Sequence, residues 1–486
     1  MERRLHWGKI CPPTPPAPAN DVSQIQFDYT NILSDRVGDH GLSAEALEAR
    51  GPAAEAALAA VLARKGEDLR WLALPEAEDV MDDLLGYASS VAGEFKNVVV
   101  LGIGGSALGN IALQSALGSP FHNIAPPPGI PRLFVLDNID PDLVGEVLDL
   151  LDPAETLFNV ISKSGGTAET MSQFLVFRAR LVERLGREEH KRHLVVTTDA
   201  KNGVLREIVD REGYTSFIVP DGVGGRFSVL SPVGLLSSAL VGIDIKGLQL
   251  GAKEMLERCA KAPFLENPAL LHASIQHMLH EECGKPVAVM MSYSHRLRDM
   301  ADWYAQLLAE SIGKRKDRAG QDVYRGPTPV RAVGVTDQHS QVQLYTEGPF
   351  DKWFTLLTVG MGDHEVPIPP TPEAFRDLEG VDYLGGRSLG ELFRAERDGT
   401  EIALTEASRP NAALRFESVT ARSVGQMIYM LELSVAVMGE LYDVDAFDQP
   451  GVEAGKVAAY ALMGRAGFEE RRAEIEASAP ETRRTV

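Results

Sequence analysis

The chain has 486 residues and a formal net charge of −21, with 44% hydrophobic and 24% charged residues. This length favours two or three domains, and the composition is that of a globular protein able to bury a large core. The strong negative charge argues against non-specific binding to nucleic acid or to anionic membranes, since both need basic surfaces. A small anionic substrate stays possible, because a few local cations reverse the field inside one pocket.

The N-terminal region has few structural signals. It lacks the apolar segment of a signal peptide, which predicts a cytoplasmic protein. Residues 11–20 are rich in proline and predict an extended arm, within an N-terminal region assigned to residues 1–45. The three cysteines, Cys11, Cys259 and Cys283, are widely spaced. They indicate neither a disulfide framework nor a zinc site, so we expect a reducing compartment and no metal.

A helical composition at residues 44–64 precedes an alternation of strands and helices. Helical patterns such as residues 168–186 lie between short apolar runs bounded by turn residues. Continuous apolar strands separated by helices are typical of a parallel sheet covered on both faces. We therefore predict a first α/β domain at residues 46–245. Its predicted strands are residues 97–103, 131–137, 156–161, 192–198 and 216–219.

A second α/β series predicts another domain at residues 246–420. Its strongest helix is predicted at residues 297–310. Residues 421–441 predict one long amphipathic helix, and a last helix starts near Pro450, within a C-terminal helical segment at 421–486. The apolar residues 227–245 are interrupted by polar side chains and predict a buried helix, not a membrane span. The predicted strands of this domain are residues 286–293, 330–335 and 353–359.

A glycine-rich segment directly follows the first predicted strand and opens a helix. The glycines of residues 102–109 (GIGGSALG) let the backbone approach a ligand, and a helix N-terminus attracts anions. The segment also satisfies a dinucleotide-binding fingerprint with Ala107 in its third position, and Asp137 at the end of the next strand suits a ribose. A tight strand-to-helix turn without a ligand is the plainer alternative. Alone, this segment leaves the ligand open.

A second polar segment, residues 162–170 (SKSGGTAET), again lies between a predicted strand and a predicted helix. It has four hydroxyl side chains in nine residues, with two glycines and a lysine. A capping box explains one hydroxyl but not all of them. Hydroxyls and backbone N–H groups that converge at a helix N-terminus suit a phosphate group. The segment therefore predicts a phosphate site, for which a dinucleotide enzyme has no obvious use.

Further motifs follow in the order known from one protein family. Together with the two segments above they resemble the phosphoglucose isomerase family, and matches in the same order across most of the chain are not expected by chance. The resemblance implies an α/β fold of two sugar isomerase domains (flavodoxin-like, doubly wound, with mostly parallel sheets) and helical N- and C-terminal segments. The further motifs are GGRFS at 224–228, ESIGK at 310–314, TDQHS at 336–340 and FDQPGVEAGK at 447–456.

The resemblance also implies a reaction: the reversible isomerisation of glucose 6-phosphate and fructose 6-phosphate through a cis-enediol(ate), in glycolysis and gluconeogenesis. A proton moves between C2 of the aldose and C1 of the ketose. This chemistry needs a base, a group that stabilises the enediolate, and an acid–base pair that opens the sugar ring. Family members form homodimers in which a histidine comes from the neighbouring subunit. No cofactor is expected, because the reaction is redox-neutral.

The same resemblance assigns roles to residues of suitable chemistry. Glu310 is the implied base and Arg226 the implied stabiliser of the enediolate, since a guanidinium stays cationic. His339 and Lys456 are the implied ring-opening residues, and Gln449 hydrogen-bonds the sugar. The implied phosphate-binding residues are Ser106, Ser162, Ser164 and Thr167, with the backbone amides of Gly105 and Lys163.

Three alternatives to this interpretation stay open. A phosphosugar-binding module without catalysis would use the same phosphate loop but would not need Glu310. A dinucleotide-dependent dehydrogenase is suggested by the first glycine segment alone. A dual isomerase acting on glucose 6-phosphate and mannose 6-phosphate has the same motifs, because the sequence does not reveal how the C2 face is controlled.

Overall fold

The computed structural model describes residues 24–360, 362–478, 482 and 484–485. The predicted arm at residues 11–20 and Cys11 lie outside these residues. The strands of the described part are β1 (Gln26–Asp28), β2 (Asn97–Leu101), β3 (Arg132–Leu136), β4 (Thr156–Ile161), β5 (Leu194–Thr198), β6 (Thr215–Ile218), β7 (Val287–Tyr293), β8 (Lys314–Lys316), β9 (Asp322–Arg325), β10 (Thr328–Val333), β11 (Lys352–Val359) and β12 (Asn411–Phe416).

Helices make up most of the remaining described chain. In chain order they are α1 (Ser34–Val37), α2 (Ala44–Ala49), α3 (Gly51–Ala63), α4 (Glu78–Ser90), α5 (Leu108–Leu117), α6 (Pro141–Leu150), α7 (Ala168–Glu189), α8 (Val204–Glu212), α9 (Pro232–Leu240), α10 (Ile245–Lys261), α11 (Pro268–Glu281), α12 (Arg298–Ile312), α13 (Val342–Glu347), α14 (Glu379–Asp382), α15 (Leu389–Glu406), α16 (Ala421–Leu441), α17 (Glu453–Leu462) and α18 (Glu469–Ala477).

The first sheet has the order β3-β2-β4-β5-β6, and all its strands are parallel. Its three interior strands, β2, β4 and β5, are buried along their whole length. Such strands need apolar residues on both faces, which is why they appear in the sequence as continuous apolar runs. The chain leaves β2 toward one edge of the sheet and β4 toward the other, so a crevice opens between their carboxyl ends.

The second sheet repeats this arrangement. Its order, taken from the β10 edge, is β10-β7-β11-β12-β1, with β10, β7, β11 and β12 parallel. The short strand β1 adds to β12 in the antiparallel sense. Here β7 and β11 are the strands from which the chain departs in opposite directions. Two doubly wound sheets of matching order confirm the predicted fold class.

The long helix α16 forms the centre of the core and packs against α3, α10, α11 and α12. It is long and apolar enough to cross a membrane by length and composition, but 89% of its apolar window is buried inside the protein, as in a core helix. Helix α12 also packs against α5 of the first sheet's layer. The carboxyl end of α12 is thereby placed beside the first crevice.

Most predicted elements are confirmed, and the differences have local causes. The predicted helix at 44–64 is divided into α2 and α3 at Arg50, two residues before Pro52, which occupies the first turn of α3. Strand β12 and the hairpin of β8 and β9 were not predicted. The hairpin strands are short and carry charged side chains, so they lack the apolar signal on which strand prediction depends.

Candidate active site

A cavity of about 800 Å³ lies at the crevice between the carboxyl ends of β2 and β4. Loops from both strands line it, together with a 3-10 turn at Gly225–Phe227, the end of α12 and the chain leading into α17. The residues predicted for the site converge here from segments far apart in the sequence. Those in the cavity lining are Gly105, Ser106, Ser162, Lys163, Ser164, Thr167, Arg226, Glu310, Gln449 and Lys456.

The hydroxyl-rich loop after β4 is held in a turn that faces the cavity. The Ser162 and Thr167 hydroxyl oxygens are 3.2 Å apart, and the Gly165 N–H donates to the Ser162 Oγ at 3.1 Å. Thr167 precedes the first residue of α7 but forms no side-chain hydrogen bond to the helix backbone. The N-terminus of this 22-residue helix is therefore left without the usual side-chain cap. Uncapped N–H groups at a helix start suit an anion.

Gly165 gives this loop its shape. Its φ of +62° lies in the left-handed region, and an added Cβ would stand 2.3 Å from the Leu205 backbone nitrogen. Only glycine meets both conditions without strain. The predicted importance of glycine in this loop therefore has a steric basis in the protein itself.

The first glycine segment packs against the turn that carries Arg226. An added Cβ at Gly105 would stand 2.3 Å from the Gly225 carbonyl carbon and oxygen, and one at Gly109 would meet the Val229 side chain at 2.9 Å. Both glycines are thus explained by packing within the chain. Asp137, the residue that a dinucleotide ribose would need, is absent from the cavity lining. The dehydrogenase alternative loses its support.

Glu310 and Arg226 form a salt bridge at the cavity. Their Oε2 and Nη1 atoms are 3.2 Å apart, with the arginine side chain 2% exposed and the glutamate side chain 32% exposed. The second carboxylate oxygen of Glu310 accepts a hydrogen bond from Gln306 Nε2 at 3.1 Å. The carboxylate is therefore oriented from two sides and still partly open to the cavity.

The Arg226 guanidinium is held by a complete set of acceptors. Its Nε donates to Ser311 Oγ at 2.7 Å and its Nη1 to Gln449 Oε1 at 2.9 Å. Its Nη2 donates to the carbonyl oxygens of Ala446 and Asp448, the latter at 3.1 Å. Burial lowers the pKa of Arg226, and the Glu310 carboxylate opposes this shift. A guanidinium so fixed supplies an oriented positive charge.

The C-terminal segment forms another side of the cavity. Gln449 precedes the turn Pro450–Val452, and Lys456 follows in α17. The Lys456 ammonium lies 2.9 Å from Glu453 Oε1, and its side chain is about half exposed. Tyr460 donates a hydrogen bond to the Gly166 carbonyl at 3.3 Å, which connects α17 to the hydroxyl-rich loop.

His339 is the predicted site residue that this single chain does not bring to the cavity. It ends the 3-10 turn Thr336–His339, which follows β10 in the second sheet, and its side chain is exposed. The turn is held by Asp337, whose carboxylate accepts from the Val333 N–H and the Ser340 hydroxyl.

Several residues that contact Glu310 or Arg226 were given no role at the sequence level, among them Gln306 and Lys314. Gln306 lies one helical turn before Glu310, a spacing that does place both on one face of α12. Lys314 is part of the ESIGK motif, but no role was assigned to it. Among the described residues, no group of three or more His, Cys, Asp and Glu side chains is arranged to hold a metal ion.

Two doubly wound sheets with the cavity at one switch point place the chain in the sugar isomerase class of folds. A model of the phosphoglucose isomerase family matches residues 81–350 and 401–481. A glucose-6-phosphate isomerase of Carboxydothermus hydrogenoformans is 50% identical over 83% of this chain and 86% of its own length. One of Rubrobacter xylanophilus is 43% identical over 92% of this chain and 100% of its own. The chain belongs to the phosphoglucose isomerase family.

Solved structures agree on the fold. A hypothetical protein of Thermus thermophilus is 40% identical and superposes with a TM-score of 0.81, covering 91% of this chain and 100% of that chain. A glucose-6-phosphate isomerase of Chlamydia trachomatis, at 24% identity, has a TM-score of 0.71 over 82% of this chain and 76% of that chain.

Proposed function

We propose that the protein is a glucose-6-phosphate isomerase in which Glu310 moves the proton between C2 of glucose 6-phosphate and C1 of fructose 6-phosphate. The observation that carries the proposal is the Glu310–Arg226 pair, which has 3.2 Å between its charged atoms and shares one cavity with the hydroxyl-rich loop. A module that only binds phosphosugars needs the loop but has no use for the pair.

The phosphate of the substrate binds at the start of α7. The hydroxyls of Ser162, Ser164 and Thr167 donate to its oxygens, together with Ser106 and the amides of Gly105 and Lys163 from the same cavity lining. Binding of the phosphate fixes the position of the carbons at the other end of the substrate. The free energy of phosphate binding is therefore used to orient the reacting carbons.

Proton transfer then occurs at the carboxylate of Glu310. The carboxylate takes the proton from C2 of the open-chain aldose and an enediolate forms. The resulting carboxylic acid gives a proton to C1, while the proton of the C2 hydroxyl passes to O1, and the proton held by Glu310 can exchange with solvent between the two steps. Negative charge develops on the sugar oxygens during this step, and the fixed guanidinium of Arg226 stabilises it. Gln306, bonded to Glu310 Oε1 at 3.1 Å, holds the carboxylate in orientation.

Ring opening uses His339 and Lys456, with Gln449 bound to the sugar. Because His339 lies outside the cavity of its own chain, we propose a homodimer in which each subunit supplies this histidine to the other's cavity. The ligand of the site is a sugar phosphate, and the reaction uses no cofactor. We place the enzyme in the cytoplasm, in glycolysis and gluconeogenesis.

Hydrogen exchange at C2 of glucose 6-phosphate in deuterated water tests the proposal. We expect exchange with the parent protein and a loss of about a thousandfold in Glu310→Gln, since general base catalysis contributes about 10²- to 10⁴-fold. Glu347→Gln is the matched control, because Glu347 also lies in the last turn of a helix, α13, but is exposed and absent from the cavity lining. Equal exchange in the parent and in Glu310→Gln would remove Glu310 from its role, and no exchange in the parent would favour the binding module.

A further inference from the structure

Lys314 is a buried cation directly behind the candidate base. It begins β8, two residues after the end of α12, and its side chain is 5% exposed. It is not part of the cavity lining. Moving an ammonium out of water costs several kcal/mol, which only close partners offset. The partners of the Lys314 ammonium therefore indicate its role.

Every contact of the Lys314 ammonium belongs to one of two segments of the site. Its Nζ donates to the Glu310 carbonyl oxygen at 2.7 Å, and it lies 3.0 Å from Asp448 Oδ1. It also donates to the Asp448 carbonyl oxygen. The carbonyl of Glu310 is one of the last in α12, where the helix leaves acceptors unpaired. Lys314 therefore joins the end of α12 to the segment that leads into Gln449.

The same segment is bound from the cavity side by Arg226. The Asp448 carbonyl oxygen accepts from Arg226 Nη2 at 3.1 Å as well as from Lys314. Burial lowers the pKa of Lys314, while the hydrogen bond to Asp448 opposes that shift. Two buried cations thus share one acceptor, and the backbone of residues 446–448 is fixed between them.

We propose that Lys314 is a positioning residue for catalysis, which sets the separation between the Glu310 carboxylate and Gln449 by joining their two segments. This inference rests on the proposed function. Without the ammonium, Arg226 is left as the side chain that joins Asp448 to the end of α12, through Ser311, and the Glu310 carbonyl loses its contact with Asp448. The phosphate loop at residues 162–167 makes no contact with Lys314. Loss of the Lys314 ammonium should therefore affect the chemical step more than substrate binding.

Steady-state kinetics of Lys314→Met tests this role. We expect kcat to fall about 100-fold, as a displacement near 1 Å does, with KM within about threefold of the parent. Lys314→Arg keeps a cation and should recover at least a tenth of the parental kcat. Lys316→Met is the matched control, because Lys316 lies on the same strand but its side chain is 58% exposed and pairs with Asp322. It should leave kcat and KM unchanged.

The outcomes separate this inference from the proposed function. A folded Lys314→Met protein with parental kcat overturns the positioning role of Lys314. A variant in which KM rises while kcat stays parental overturns it too. In both cases an active parent protein still supports the proposed isomerase function. If Lys314→Met does not fold, Asp448→Asn decides the question. Asp448→Asn removes the carboxylate from the ammonium, and we expect a loss of about tenfold in kcat at unchanged KM; parental kcat in this variant contradicts the inference.

Discussion

The two five-stranded sheets share the order of their first four parallel strands and each has a crevice at the same place, yet the crevices differ in chemistry. Between β2 and β4 the hydroxyl-rich loop faces a cavity of about 800 Å³, and Thr167 leaves the start of α7 without a side-chain cap. Between the ends of β7 and β11 a cavity of about 380 Å³ is lined by apolar and charged side chains. The topology that creates a binding crevice is thus present in both halves.

The second crevice differs at the helix that faces it. The helix α15 begins with a complete capping box between Ser388 and Glu391. Its Gly390 N–H also donates to Glu365 Oε1 at 3.3 Å, so a second carboxylate of the chain lies at this helix start. An anion arriving here would have to displace the protein's own acid. One fold thus provides two equivalent crevices. The groups that cap the helix at each crevice determine which helix N-terminus is available to a phosphate.

Among the variants that compare the two crevices, the largest effect is expected where the loops of the first crevice touch. In Gly105→Ala the new methyl group would stand 2.3 Å from the Gly225 carbonyl group and 2.8 Å from the Arg226 nitrogen. The turn must move and take the guanidinium with it, so we expect kcat/KM to fall about 100-fold. Steady-state kinetics on the folded variant measures this loss.

Gly145→Ala controls for the added methyl group. Gly145 lies within α6, and nothing lies within 4 Å of its added Cβ, so activity should stay parental. A Gly105→Ala enzyme with parental kcat/KM would show that the close approach of the two loops has no bearing on the position of Arg226.

A smaller effect is expected from removing a hydroxyl at the start of each facing helix. Thr167→Ala should raise KM for fructose 6-phosphate about 10- to 100-fold at nearly unchanged kcat, since a hydrogen bond to a charged group contributes about 1.5–3 kcal/mol. Ser388→Ala, at the equivalent helix start of the second crevice, should leave KM unchanged and lower the free energy of unfolding by about 1 kcal/mol. A rise in KM with Ser388→Ala would contradict the assignment of the phosphate to the first crevice.

The hydroxyl-rich loop could be predicted because its signal is local. Ser162, Ser164 and Thr167 stand between a buried strand and a helix, and each of these elements has its own sequence pattern. The first sheet was predictable for the same reason, since its strands are continuous apolar runs. Strand β12 was not predicted, although it is a central strand of the second sheet.

The contacts behind Glu310 could not be predicted because they join distant parts of the chain. Arg226 meets Asp448 across 222 residues, and Lys314 meets it across 134. No spacing rule connects such positions before the fold is known. The exposed position of His339 is also a property of the folded chain, because a loop motif does not indicate which cavity its side chain faces.

The smallest effect is expected in the second crevice, where Glu365→Gln removes the carboxylate at the start of α15. An anion at a helix N-terminus contributes about 0.3–1 kcal/mol, so the free energy of unfolding should fall by that amount, measured by urea denaturation. The isomerase kinetics should be parental, because Glu365 is absent from the lining of the first cavity. A change in KM would mean that the two crevices are energetically coupled. Parental kinetics with the small loss of stability would assign Glu365 a structural role, as the internal anion that occupies this helix start.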